Sequence, residues 1–134
     1  MSQENEEIVR DQFGAANEGD FARVMRYWAD DIEAVVPAAS FFEGGAFKGK
    51  DAVGRFFGEW FRSFERGYQL NVEEARDFGG EVLVVARNDG RGRASGAAVD
   101  TQVAYLFRVR DGQIARIEVF PDRAAALEAV GLSE

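Results

Sequence analysis

The chain contains no histidine and no cysteine, and this limits its chemistry before any motif is considered. No side chain titrates near neutrality unless its surroundings shift it, so Ser-His-Asp and Cys-His catalysis, thiolate ligands and histidine-based metal sites are excluded. An acid or base must be a carboxylate, a tyrosine or a lysine. The only lysines are Lys48 and Lys50, both in a Gly-rich turn. A carboxylate acting near pH 7 would need burial to raise its pKa. Gln12 falls inside the apolar stripe that Ile8, Val9, Phe13 and Ala16 form at helical spacing. A polar residue there costs stability unless its amide finds partners, so Gln12 either reaches solvent or a backbone group, or lines a pocket. Arg91-Gly92-Arg93 has residue types that bind phosphate. However, 24 acidic against 16 basic residues give a net charge of −8, which repels nucleic acid and anionic lipid. Cross-strand pairing with Glu33, Asp100 or Glu118 is the plainer role for these arginines.

The most legible element that could position such groups is the stretch from Val99 to Pro121. Val103, Tyr105, Phe107 and Val109 alternate with polar or small residues, Asp111-Gly112 interrupts, and Ala115, Ile117 and Val119 then alternate with Arg116 and Glu118. This pattern predicts a long β-hairpin around a tight Asp-Gly turn, with one apolar face turned inward. The other face would carry Ala104 and Leu106 as an apolar strip rimmed by Arg108, Arg116 and Glu118, suited to a two-fold dimer.

Upstream, the spacing predicts a helix from about Glu4 to Glu18, with Gly14 implying a close backbone approach or a curve. A short helix capped by Asp20 carries Phe21, Val24, Met25 and Trp28, and Asp30-Asp31 ends it. Ile32 to Val36 reads as a short edge strand before Pro37. Residues 38–49 form a loop whose Phe41, Phe42 and Phe47 suit either a lid or plain packing. A third helix from Asp51 repeats Val53, Phe56, Phe57, Trp60, Phe61 and Phe64 on one face and stops at Gly67. Strands follow at Tyr68–Phe78 and from Glu81 to about Arg91, and a last helix from Asp122 ends at Gly131, with Leu132 packing back.

At 134 residues with 46% hydrophobic content and twelve phenylalanines, the chain reads as one domain, 1–134, with an aromatic core and room for a single pocket. No signal-peptide run and no stretch of eighteen apolar residues occurs, so the expectation is a cytoplasmic, soluble protein with no membrane partner.

The order of elements, with "NEGDFARVMRYWADDIEAVVP", "FKGKDAVGRFF", "GRGRASG" and "VRDGQIARIEVFPDRAAALEAVGL", resembles the SnoaL-like branch of the nuclear transport factor 2-like superfamily over nearly the whole chain. The resemblance implies an α+β cone: a strongly curved, mostly antiparallel sheet wrapped around N-terminal helices, with a C-terminal helix, an apolar pocket and dimerisation through the outer face. Its members range from isomerases, cyclases and epoxide hydrolases to non-catalytic scaffolds, so fold does not settle function.

Carried over residue by residue, the family's reactive positions are mostly replaced. The isomerase base position holds Val36, the isomerase oxyanion positions hold Gln12 and Tyr105, and the cyclase positions hold Ile117 and Val119. Arg87-Asn88-Asp89 is similar to the Arg-x-Asp of limonene epoxide hydrolases, in which a guanidinium orients a carboxylate that activates water or protonates the epoxide. The second aspartate of that mechanism falls at Val119. Three functions follow as expectations. The first is a binding protein for an apolar or amphipathic small molecule, lined by Gln12, Trp28, Val36, Phe57, Trp60, Tyr105, Phe107, Ile117 and Val119. The second is an enzyme of hydrolase or isomerase type using catalytic Asp89 and Arg87 with Tyr105 and Gln12. The third is a dimerisation module with a filled cone. No metal and no cofactor are expected.

Overall fold

A computed structural model describes residues 2–37 and 44–131. Four helices and six strands follow in the order α1 (Ser2–Asn17), α2 (Phe21–Arg26), β1 (Trp28–Val36), β2 (Gly45–Lys48), α3 (Lys50–Arg62), β3 (Gln69–Phe78), β4 (Glu81–Arg91), β5 (Ala98–Arg110), β6 (Gln113–Phe120) and α4 (Arg123–Ala129). The strands make one curved, mixed sheet in the order β2-β1-β6-β5-β4-β3. Only the β1–β6 pairing is parallel. Helices α1, α2 and α3 cover the inner face, and α4 packs against β4, β5 and β6 on the other.

The hairpin of β5 and β6 is the long central element expected. Asp111 and Gly112 both take positive φ, 53° and 76°, the combination that matches a two-residue turn to the strands' right-handed twist. Tyr105, Phe107, Ile117 and Val119 face the main core. The register breaks between Arg108 and Val109, where Val109 pairs with Ile114. One residue of β6 is thereby left without a partner across the ladder. This bulge corrects the expected phase at that end: Ile114, not Ala115, joins the inner core.

Four further expectations are corrected. Trp28 does not close α2. The helix stops at Arg26 and Trp28 opens β1, so Asp30 and Asp31 lie within the strand, where its register with β6 shifts. Nor is β1 an edge strand: residues 45–48, expected as loop, pair with it as β2 and take the edge. Phe41, Phe42 and Leu132 lie outside the described residues, while Phe47 stacks on Phe56 at 4.6 Å. Helix α3 ends at Arg62, so Phe64 sits beyond it, bridging to Gly92. Finally, Ala104 and Leu106 are not an open strip for a dimer. With Leu83 they form a second core cluster covered by Ala126 and Leu127 of α4.

Two polar devices set the helices against the sheet. The Asn17 amide donates to Leu70 O and accepts from Leu70 N, both at 2.9 Å, fixing the end of α1 on β3. Arg93 donates to Arg62 O and Phe64 O, each at 3.0 Å, satisfying carbonyls that the end of α3 leaves without helical partners. Arg91 donates to Gly96 O. Arg93 therefore ties the connection after β4 to the end of α3 and Arg91 closes that connection on itself, in place of the cross-strand pairs expected. At Gly14 an added Cβ would meet nothing within 4 Å, so no close backbone approach explains that glycine.

Candidate functional site

Between the inner face of the sheet and the three N-terminal helices lies a cavity of about 180 Å³. Its walls are Gln12, Phe13 and Ala16 of α1, Phe21, Val24 and Met25 of α2, and Gly54, Phe57, Gly58, Trp60, Phe61 and Arg62 of α3. Trp28, Leu70, Tyr105, Phe107 and Ile117 close it from the sheet. These residues follow from the stripes already described: the apolar face of each helix and the inward row of each strand meet here. Phe21 is 40% exposed and Arg62 is exposed, whereas the sheet residues are buried. The opening thus lies between α2 and α3, spanned by the edge-to-face pair of Phe21 and Phe61 at 5.5 Å.

Two polar side chains reach the interior with hydrogen-bonding capacity to spare. Gln12, 6% exposed, accepts from Trp28 Nε1 at 3.0 Å through its Oε1. Its Nε2 makes no hydrogen bond among the described residues. Tyr105, 3% exposed, packs its ring against Phe13 and Phe107, and its hydroxyl likewise makes no hydrogen bond among the described residues. Burial, and after it the neighbouring Tyr68 phenol, holds Tyr105 well above its ordinary pKa, so it stays a neutral O–H donor. A buried donor without a partner is costly in a finished core. Among the described residues no buried side-chain N or O lacks a partner, so the Tyr105 hydroxyl and Gln12 Nε2 are not sealed into the core but open onto the cavity.

A second polar chain is complete. Trp60 Nε1 donates to the Tyr68 hydroxyl at 2.9 Å, and Tyr68 donates to Asn88 Oδ1. Burial pushes the Tyr68 pKa up. A Cβ on Gly90 would stand 2.9 Å from Tyr68 Cδ1 and 3.1 Å from its Cα, so the missing side chain at Gly90 lets Tyr68 lie against β4.

Of the residues expected in the site, Gln12, Trp28, Phe57, Trp60, Tyr105, Phe107 and Ile117 border the cavity. Val36 and Val119 are buried in the surrounding core, at 3% and 6% exposure, without lining it. Arg87 and Asp89 do not converge with Tyr105 and Gln12. They occupy the outer row of β4, on the opposite side from Ala86 and Asn88. There Arg87 pairs with Glu73 at 3.2 Å and Asp100 at 2.9 Å, and Asp89 is exposed. Asn88, between them, is 2% exposed and bonded to Tyr68. Sequence reading passed over it. Counting in twos from Val82, Val84 and Ala86 would have found it, but Val82–Ala86 is apolar throughout because α4 covers the outer row as well, so no alternation marks the phase.

The cavity thus presents apolar walls and hydrogen-bond donors. Among the described residues no carboxylate borders the cavity, and no group of three or more His, Cys, Asp or Glu is placed to hold a metal ion. Among the described residues no helix is long and apolar enough to cross a membrane.

A family model described as "SnoaL-like domain" matches residues 9–117. Solved structures share the fold across nearly the whole chain. A SnoaL-like protein of Jannaschia sp. CCS1 superposes with a TM-score of 0.79 at 23% identity, covering 99% of this chain and 95% of that one. An NTF2-like protein of Burkholderia xenovorans LB400 gives 0.76 at 26%, covering 91% and 92%. TerC, co-crystallised with polyporic acid, gives 0.76 at 20%, covering 96% and 98%. No curated protein sequence matches the chain.

Proposed function

The chain belongs to the SnoaL-like domain family, and on that premise we propose that its interior cavity binds a small, mainly apolar molecule carrying a neutral oxygen acceptor, without turning it over. The observation that carries this reading is an apolar cavity onto which Gln12 and Tyr105 open as donors while, among the described residues, no carboxylate borders it. Apolar cavities of about 150 Å³ take up benzene, so ~180 Å³ suits a body of one ring or a short alkyl chain. A ketone or ether oxygen placed against the Tyr105 O–H and the Gln12 N–H would replace hydrogen bonds that the protein itself does not make. Each such bond contributes about 0.5–1.5 kcal/mol net.

Turnover of the epoxide hydrolase or isomerase type would require an acid or base at the bound molecule. Tyr105, with its pKa raised, favours donation over abstraction. TerC, of similar fold, is co-crystallised with polyporic acid, which supports a small-molecule reading; the reading itself rests on this chain's own residues. Both tryptophans of the sequence, Trp28 and Trp60, border the cavity, so intrinsic fluorescence reports occupancy directly. Saturable quenching by single-ring ketones, with no product formed at high protein concentration, is expected. Formation of product from enone, ester or epoxide analogues would replace this reading with an enzymatic one.

A further inference from the structure

We infer that the ligand is a monoanion: an apolar body carries a carboxylate at the end opposite its neutral oxygen, and Arg62 at the cavity mouth receives it. This rests on the binding reading above and adds the ligand's charge and orientation. Among the described residues Arg62 is the one charged side chain bordering the cavity. It is exposed, and its guanidinium makes no hydrogen bond or ion pair among the described residues. Many of the chain's other arginines are committed: Arg87 to Glu73 and Asp100, Arg110 to Asp31, Arg116 to Glu118, and Arg123 to Glu74.

Its position is also built. A Cβ at Gly58, one turn earlier on α3, would stand 3.2 Å from Arg62 Nη1 and 3.6 Å from Nη2. The guanidinium therefore lies back over Gly58, itself a cavity residue, with its N–H groups at the opening between α2 and α3. A guanidinium presents parallel donors matching the two oxygens of a carboxylate.

Charge and solvent together fix the orientation. At the inner end the donors are neutral and belong to buried residues, Gln12 and Tyr105, so a carboxylate there would shed most of its hydration without a counter-ion, whereas a ketone loses little. At the mouth the carboxylate keeps part of its hydration and meets a cation. The favoured ligand class is thus small aryl or short-chain keto-acids.

The test uses the full chain and an isosteric pair, 4-acetylbenzoate and 4-acetylbenzamide, read by tryptophan quenching at low and at 0.5 M salt. A partly exposed guanidinium–carboxylate contact predicts that the acid binds about three- to tenfold more tightly than the amide, with the preference shrinking at high salt. Arg62→Gln should abolish the preference, bringing acid and amide to equal affinity. Arg55→Gln, an exposed arginine of the same helix outside the cavity wall, should preserve it. Equal binding of acid and amide, or an acid preference that survives Arg62→Gln, would overturn the inference and leave the binding reading standing. Binding of neither compound at millimolar concentration would overturn both.

Discussion

Two tyrosines of the interior invite the same one-atom change with opposite expected results. In Tyr68→Phe, Trp60 Nε1 loses its 2.9 Å acceptor and Asn88 Oδ1 loses its donor, and all three groups are buried. Two hydrogen bonds at roughly 1 kcal/mol each, plus the cost of leaving the buried Asn88 Oδ1 without its Tyr68 donor, amount to about 2–4 kcal/mol. Unfolding entropy scales at ~2.1 cal/mol/K per residue, or ~0.28 kcal/mol/K for 134 residues, so the melting temperature should fall by about 7–14 °C. In Tyr105→Phe no protein hydrogen bond is lost among the described residues, and the hydroxyl removed opens onto the cavity, so stability should hold within about 0.5 kcal/mol. Affinity for a ring ketone should instead drop by about two- to twelvefold, the equivalent of one hydrogen bond. Thermal unfolding by circular dichroism and ketone titration by fluorescence give all four quantities. If Tyr105→Phe destabilises as much as Tyr68→Phe, the Tyr105 hydroxyl has a structural partner and the reasoning about free donors is wrong.

Other outcomes follow from the same structure. Gly14→Ala should stabilise the protein by about 0.5–1 kcal/mol, since the helix gains propensity and the new methyl meets nothing; a drop in the urea midpoint would show that something does approach α1 there. Arg87→Gln and Asp89→Asn should each shift stability by less than about 1 kcal/mol, because both residues sit among exposed charges, and should leave ligand quenching untouched; altered quenching would return them to the site. The hydrogen bonds from Arg123, and then its charge, hold the Glu74 carboxyl below its ordinary value of 4.5. Its contribution to stability is therefore complete above that value and fades as pH falls through the lower folded-state value. Glu74→Gln should accordingly lower the urea midpoint at pH 6 more than at pH 3, and an equal loss at both would remove the ion pair from the explanation. Because Tyr105 is held well above its ordinary pKa, binding of a neutral ketone should be flat from pH 5 to 9, and a titration near pH 7 would reveal a group outside the cavity wall described.

How much could be read in advance depended on whether one face of an element differs from the other. Helix α3 and the β5–β6 hairpin alternate between apolar and polar rows, and their inward residues supply much of the cavity wall, including Phe57, Trp60, Tyr105, Phe107 and Ile117. Strand β4 does not alternate, because α4 buries its outer row through Leu83, so the direction of Arg87 and Asp89, on which the enzymatic alternative depended, is not legible in the sequence, nor is the inward Asn88. The bulge opposite Val109 exchanged Ile114 for Ala115 without any glycine to announce it. Trp28 fits the helical spacing of Phe21, Val24 and Met25, yet β6 captures it by strand pairing with Ile114, a tertiary contact that local periodicity does not encode.

The most direct measurement is a titration of ¹⁵N-labelled protein with acetophenone, a single ring bearing one neutral acceptor. Saturable shifts of the Gln12 side-chain amide and of the Trp28 and Trp60 indole N–H signals are expected, with the Arg87 Nε–H signal on the outer face unmoved. Shifts confined to the outer face, or none up to the solubility limit of the ketone, would contradict the assignment of this cavity as a binding site.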